Sequence, residues 1–227
     1  MNMLPKVSVL MAAYNEESRI GDTIKTLRMI PAIKEIIVVD DGSRDATWQK
    51  ALEAGCKVIK LPVNSGKGAA LNAGAASVTG QVVLLIDADL GASAREAEKL
   101  IEPVVNKEAD LTIAKFPPSR GKGGFGLVKK LAAWGVYLYS GTTCDSVLSG
   151  QRAMTLEVFK KLLPFTPGYS VEVAATIKSA KLGIKILEIP VEMSHRVTGR
   201  DFPGFCHRGR QFWHIFLFLL SKAGTRC

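Results

Sequence analysis

Five near-continuous apolar runs punctuate the first half of the chain: 6–14 (KVSVLMAAY), 35–41 (EIIVVDD), 56–62 (CKVIKLP), 81–89 (QVVLLIDAD) and 109–116 (ADLTIAKF). Helix-length segments lie between them, two closing on Gly55 and Gly80, residues suited to the left-handed turn that ends a helix. A strand that is apolar throughout has no face to offer water. Alternated with helices, such strands build a parallel sheet covered on both sides. The expected fold class is therefore α/β, with a mainly parallel central sheet flanked by helices in a single domain. Sheets of this kind bind ligands beyond the carboxyl ends of their strands. Three of those ends read Tyr14-Asn15-Glu16, Asp40-Asp41-Gly42-Ser43 and Asp87-Ala88-Asp89, so three polar clusters are expected along one edge.

The chain has 227 residues, 47% of them hydrophobic, enough for one sizeable core. Cys56, Cys144, Cys206 and Cys227 are scattered, which argues against a zinc site or a disulfide framework and fits a reducing, cytoplasmic compartment. The N-terminal MNMLPKVSVLMAAYNEE does not read as a secretory signal. A formal charge of +9 implies an acidic partner: nucleic acid, an anionic membrane surface or a phosphorylated substrate. The stretch 114–130 carries five cations and no carboxylate, and 194–211 adds Arg196, Arg200, Arg208 and Arg210. No nucleic-acid motif or interleaved aromatic platform accompanies them, so a non-catalytic basic module is the weaker alternative.

After residue 116 the pattern changes to a Pro/Gly-rich loop (117–126), a helix (127–139), the short segment SVLSGQRAMT (146–155), a helix (170–183) and a strand (184–195). The terminal apolar run, 209–220, is shorter than the roughly 20 residues a membrane-spanning helix needs. It reads as an interfacial or packed helix.

Two carboxylates one residue apart, at a strand end where the chain turns, can converge on one cation. Oxygen-only ligands suit Mg²⁺ or Mn²⁺, ions that bridge carboxylate to phosphate. A nucleotide also needs acceptors for its base and ribose, which Glu16, Asp40 and Asp41 can supply. The segment NSGKGAALNAG (64–74) sets Lys67 among glycines at a helix N-terminus, suited to an anion, although it is not a GxxxxGK[ST] phosphate loop.

VSVLMAAYNEE, IIVVDDGSRDAT, NSGKGAALNAG and LLIDADL, in this order and spacing, resemble the family-2 glycosyltransferases of the GT-A fold. The likeness is to their polyprenyl/dolichol-phosphate sugar transferase and glucosyl-3-phosphoglycerate synthase branches, and covers roughly residues 6–200. It implies a nucleotide-sugar-binding half (6–116), an acceptor half (117–205) and an amphipathic C-terminal helix (206–227). It further implies that Ala12, Tyr14, Glu16, Val39 and Asp40 hold the nucleoside, with Asp41 supporting that loop and Lys67 near the nucleotide. Asp87, Ala88 and Asp89 take the place of the DxD motif, with Asp89 the direct ligand of Mg²⁺ or Mn²⁺ and Asp87 nearer the ribose and the metal's second contact. Polyprenyl-phosphate transferases often carry glutamine two residues after the second aspartate, where this chain has Gly91. His195 is then a candidate third ligand.

In the acceptor half the resemblance gives Arg152 an acceptor phosphate or the donor's diphosphate to hold, and Glu172 the part of general base. Arg196 and Arg200 would close over the diphosphate. The implied reaction moves a sugar from a UDP- or GDP-sugar to a phosphorylated acceptor, either a lipid such as polyprenyl phosphate or a soluble molecule. The segments 126–141 and 207–220 mix cations with aromatic residues, as expected of helices lying on the inner face of a plasma membrane or, alternatively, packing on the protein's own core or in a homodimer. A sugar-phosphate nucleotidyltransferase would instead open with a glycine-rich basic loop after its first strand, where this chain reads AAYNEE.

Overall fold

A computed structural model describes residues 5–117, 126–194 and 202–223. In chain order the elements are β1 (Val7–Ala13), α1 (Ile20–Leu27), β2 (Ile33–Asp40), α2 (Thr47–Glu53), β3 (Lys57–Lys60), α3 (Lys67–Ala75) and β4 (Val82–Leu85), followed by α4 (Ala97–Val105) and β5 (Leu111–Lys115). The second half adds α5 (Leu127–Ser140), β6 (Arg152–Thr155), α6 (Leu156–Leu162), α7 (Val171–Lys181), β7 (Ile186–Pro190) and α8 (Phe202–Ala223). The seven strands form one sheet in the order β3-β2-β1-β4-β6-β5-β7. All neighbours are parallel except β6, which runs antiparallel to both β4 and β5. The α/β single-domain fold is as expected.

Side-chain alternation along β1 sorts the core into two layers. Val7, Val9, Met11 and Ala13 face the helices α1 and α4, packing with Ile20, Ile24, Leu27, Leu100 and Val104. Leu10 faces the other way, with Ile37, Val39 and Leu71 and, from the second half, Val136, Phe159 and Ile177. Each fully buried Leu or Ile contributes on the order of 1.5–3 kcal/mol, so the two layers hold the sheet as a rigid platform.

Three elements differ from the sequence expectation. The run 81–89 forms a strand only over Val82–Leu85, so Asp87 and Asp89 sit on the loop beyond the strand. Strand 184–195 shortens to Ile186–Pro190, ending at a residue with no N–H for the ladder. The terminal helix is longer than 209–220, running from Phe202 to Ala223. Helix α6 buries Val158, Phe159 and Leu162, and its start is marked by Thr155, whose Oγ1 accepts from Val158 N at 3.2 Å.

Candidate active site

Because β1, β2 and β4 are parallel, the loops following them emerge on one edge. The loops after β1 and β2 are tied to each other: Ser43 Oγ accepts from Asn15 N (2.9 Å), Asn15 Oδ1 from Arg44 N (2.9 Å), and Thr47 Oγ1 from Glu16 N (2.8 Å). Gly42 has φ of +73°, and a Cβ there would come within 2.6 Å of the Val63 carbonyl carbon, so only glycine lets the 63–66 loop lie this close. Asp41 uses that proximity. Its carboxylate accepts from Ser65 N (2.7 Å) and Gly66 N (2.8 Å), which fixes the N-terminus of α3 and the lysine that opens it.

Lys67 is the hub of the edge. Its Nζ lies 2.6 Å from Asp87 Oδ1 and 3.3 Å from Glu172 Oε1, joining the loop after β4 to the first turn of α7. Burial disfavours the ammonium charge, but the two carboxylates outweigh it and hold the lysine pKa above its ordinary value. The other oxygen of Asp87 accepts from Gln151 Nε2 at 2.5 Å, and a Cβ on Gly150 would collide with Lys67 Nζ. Antiparallel β6 makes this possible: its register sets Arg152 opposite Leu85, so the residues before β6 arrive at the same edge where β4 ends. Gln151 was not a candidate from sequence, because a neutral amide in SGQRAM carries no signature of its own. Asp89 is partly exposed, and its carbonyl accepts from Arg19 Nη1 at 3.0 Å. Thr23, fully buried, braces this turn by donating to Ala88 O (2.8 Å) and accepting from Gly91 N (2.8 Å). Gly91 itself has φ of +53°, a conformation that glutamine would adopt only with strain.

The remaining candidates are placed as follows. Tyr14 is exposed on the edge, and Ala12 and Val39 are paired across β1 and β2. The Val39 side chain does not reach the edge surface but is fully buried, in line with the close approach of Gly74. Asp40 is also fully buried, and among the described residues neither of its carboxylate oxygens has a hydrogen-bond partner. Arg152 departs from the expected phosphate-holding geometry. Only 2% exposed, it donates through Nε to Ser149 O (2.9 Å) and through Nη2 to Val147 O (2.8 Å) and Glu172 O (3.2 Å). Its fork therefore binds the 147–149 turn to the start of α7, and among the described residues the buried Nη1 has no partner. Desolvation lowers its pKa, against the pull of Glu172. His195, Arg196 and Arg200 lie outside the described residues. The last residue before them, Ser194, donates its N–H to Ser93 Oγ at 3.0 Å, alongside the turn that follows Asp89.

The donor set suits a hard cation. Asp87 and Asp89 supply carboxylate oxygens, and among the described residues no group of three or more His, Cys, Asp or Glu side chains could hold a metal ion. Such a pair fits an ion that takes one or two protein carboxylates and completes its shell with phosphate and water.

The family profile described as Glycosyl transferase family 2 matches residues 8–155. Glucosyl-3-phosphoglycerate synthase of Mycolicibacterium smegmatis is 30% identical over 241 residues, covering 96% of this chain and 78% of that protein. A dolichyl-phosphate beta-glucosyltransferase of Trichomonas vaginalis is 28% identical over 215 residues, covering 82% and 65%. The crystal structure of glucosyl-3-phosphoglycerate synthase from Mycobacterium tuberculosis in complex with Mn²⁺, UDP-glucose and phosphoglyceric acid superposes with a TM-score of 0.78 at 28% identity, covering 97% of this chain and 80% of that one.

Proposed function

From the premise that the chain belongs to glycosyl transferase family 2, we propose that it moves a sugar from a UDP- or GDP-sugar to a phosphorylated acceptor carried on a lipid. The observation that carries this reading is the chain of contacts Gln151–Asp87–Lys67–Glu172, which joins the loop after β4 to the helix α7 at one sheet edge. Asp89 and Asp87 hold Mg²⁺ or Mn²⁺, in keeping with the Mn²⁺ in the Mycobacterium tuberculosis synthase. When bound, the ion supplies positive charge against the departing diphosphate. Asp40, buried and among the described residues without a hydrogen-bond partner, accepts from the nucleobase, and Glu16 and Tyr14 flank the nucleoside. Lys67 adds a second positive charge beside Asp87, fixed in place before the reaction so that no solvent rearrangement is needed. Glu172 takes the proton from an attacking hydroxyl or, where the attacking group is a phosphate oxygen, orients Lys67. Arg152 is a positioning residue: it holds the backbone of Glu172 and the turn before Gln151 in register.

A lipid carrier is favoured by the exposed faces of two adjacent helices, α5 with Trp134, Tyr137 and Leu138, and α8 with Trp213, Leu217 and Leu220. Among the described residues no helix is long and apolar enough to cross a membrane, so contact would be from one side. A soluble phosphorylated acceptor is the second reading, supported by the synthase crystallised with phosphoglyceric acid, which aligns with 97% of this chain. The test is transfer of radiolabelled sugar from UDP- and GDP-sugars, with Mn²⁺, to polyprenyl phosphate and to phosphoglycerate in parallel. Product in the organic phase supports the lipid reading; product only in water supports the soluble one. Labelling of neither, with no donor hydrolysis, overturns both.

A further inference from the structure

We propose that the cavity between α7 and α8 binds a single-chain anionic amphiphile that is not the sugar acceptor. The cavity holds about 400 Å³, and its walls include Leu162, Phe165, Ala174, Ile177 and Phe218. That volume lies within the roughly 300–1,000 Å³ of ordinary ligand pockets. One face of α7 runs along it in two parts: Val171, Ala174 and Ala175 in the first turns, then Lys178 and Lys181 in the last. Lys222 of α8 lines it as well, its Nζ 5.7 Å from the centre of the Phe218 ring. Lys178 and Lys181 are exposed and, among the described residues, form no salt bridge; Lys178 donates only to Leu163 O, at 3.3 Å. Lysines near a helix C-terminus suit the helix dipole by themselves. The dipole does not account for an apolar cavity leading up to them. Apolar walls ending in three cations complement a hydrocarbon chain with a negative head, and match neither a free anion nor a neutral lipid.

The position of the cations separates this ligand from the acceptor. Six and nine residues of helix part Glu172 from Lys178 and Lys181, about 9 and 14 Å along the axis at roughly 1.5 Å per residue. A head held at the lysine end therefore sits at the opposite end of α7 from Glu172. Yet Phe165, Val171 and Ala175 also line the small cavity against Lys67, Arg152 and Glu172, so the occupant's chain packs on the back of the active-site wall. The inference stands whichever acceptor the enzyme uses.

Titration calorimetry of the full chain with dodecyl phosphate, kept below its micellar concentration, tests this. Saturable one-to-one binding is expected, at least ten-fold tighter than for inorganic phosphate or for the neutral dodecyl maltoside. Lys178→Glu with Lys181→Glu should weaken it at least ten-fold, and so should Ala174→Phe, which fills the cavity. Should Ala174→Phe fail to fold, the lysine pair decides, since both positions are exposed. The proposal is overturned if inorganic phosphate binds as well as dodecyl phosphate, if the lysine reversal leaves binding unchanged, or if the protein associates with anionic vesicles but with no monomeric amphiphile.

Discussion

Lys67 holds two carboxylates that would otherwise repel each other, one from each half of the chain, and this division of labour separates the roles of the acidic residues. Asp87 is engaged on both oxygens, by Lys67 and by Gln151, and Asp89 sits on the turn that Thr23 and Gly91 brace. Removing the Asp89 charge should therefore strike the cation directly without unfolding the loop. Asp89→Asn is expected to lower kcat about 10²–10³-fold, the scale seen when one group stabilising developing charge is lost. Its melting temperature should stay near that of the wild type. A kcat near that of the wild type in Asp89→Asn, or full wild-type activity in EDTA, would reject the assignment. Glu172 is tested by its neutral isostere. Glu172→Gln should cost orders of magnitude with a hydroxyl acceptor and far less with a phosphate acceptor, whose oxygen is already deprotonated near neutral pH. A wild-type rate with a proven hydroxyl acceptor would remove Glu172 from the chemistry.

Among the elements, β1 and β2 are joined to the segment before β4 by Glu35. Its carboxylate accepts from Ser8 Oγ and from Thr79 N and Oγ1 (both 2.8 Å), while Ser8 Oγ accepts from Gly80 N (2.7 Å). Burial works against this charge, but the hydrogen bonds from Ser8 and Thr79, with Lys6 nearby, hold its pKa below the ordinary 4.5. The stability it contributes is thus present above that value and is lost as pH falls through the folded-state pKa. Glu35→Gln should cost about 1–2 kcal/mol in urea unfolding at pH 7, and the gap from wild type should be smaller at pH 3. An equal gap at both pH values would assign the effect to packing alone. The strands β1 to β5 were legible because continuous apolar runs between helices have few other solutions. The end of β4 was not, since the residues stay apolar through Ile86 while pairing stops at Leu85, where the partner β6 begins at Arg152. β6 itself lay hidden in SGQRAM, whose Gln and Arg look like surface residues until the carbonyls of Val147, Ser149 and Glu172 are brought around the guanidinium. The same folding brings Gln151 onto Asp87. Non-local pairing of this kind leaves no periodic trace in the chain.

At the scale of the whole molecule, the sheet edge and the exposed helices pose one question: which acceptor can reach Glu172. Helices α5 and α8 are packed together where Gly135 meets Leu219, and Tyr139 Oη donates to Leu219 O at 2.7 Å. Their outward residues therefore belong to neighbouring helices, with Trp134 56% and Trp213 57% exposed, accompanied by exposed Lys129 and Lys130. Indole rings beside lysines suit the headgroup layer of an anionic bilayer. The chain should co-float with vesicles containing anionic lipid at low salt and detach in part at 0.5 M salt, as the cations are screened. Phe216 is half-buried and stacked on Phe212 with centroids 6.2 Å apart, so changing it would disturb the helix itself. Trp213→Ser with Leu217→Ser removes two exposed side chains one turn apart, together with the edge contacts of Trp213 to Phe212 and Phe216, and should abolish flotation while leaving transfer to a water-soluble acceptor unchanged. A dimer using the same face would give a different result: the wild type would elute at twice its monomer mass, stay with the soluble fraction, and become monomeric in the double variant. That outcome would turn the acceptor assignment to a soluble phosphorylated molecule, because no surface would then bring a lipid phosphate to the edge where Lys67 and Glu172 meet.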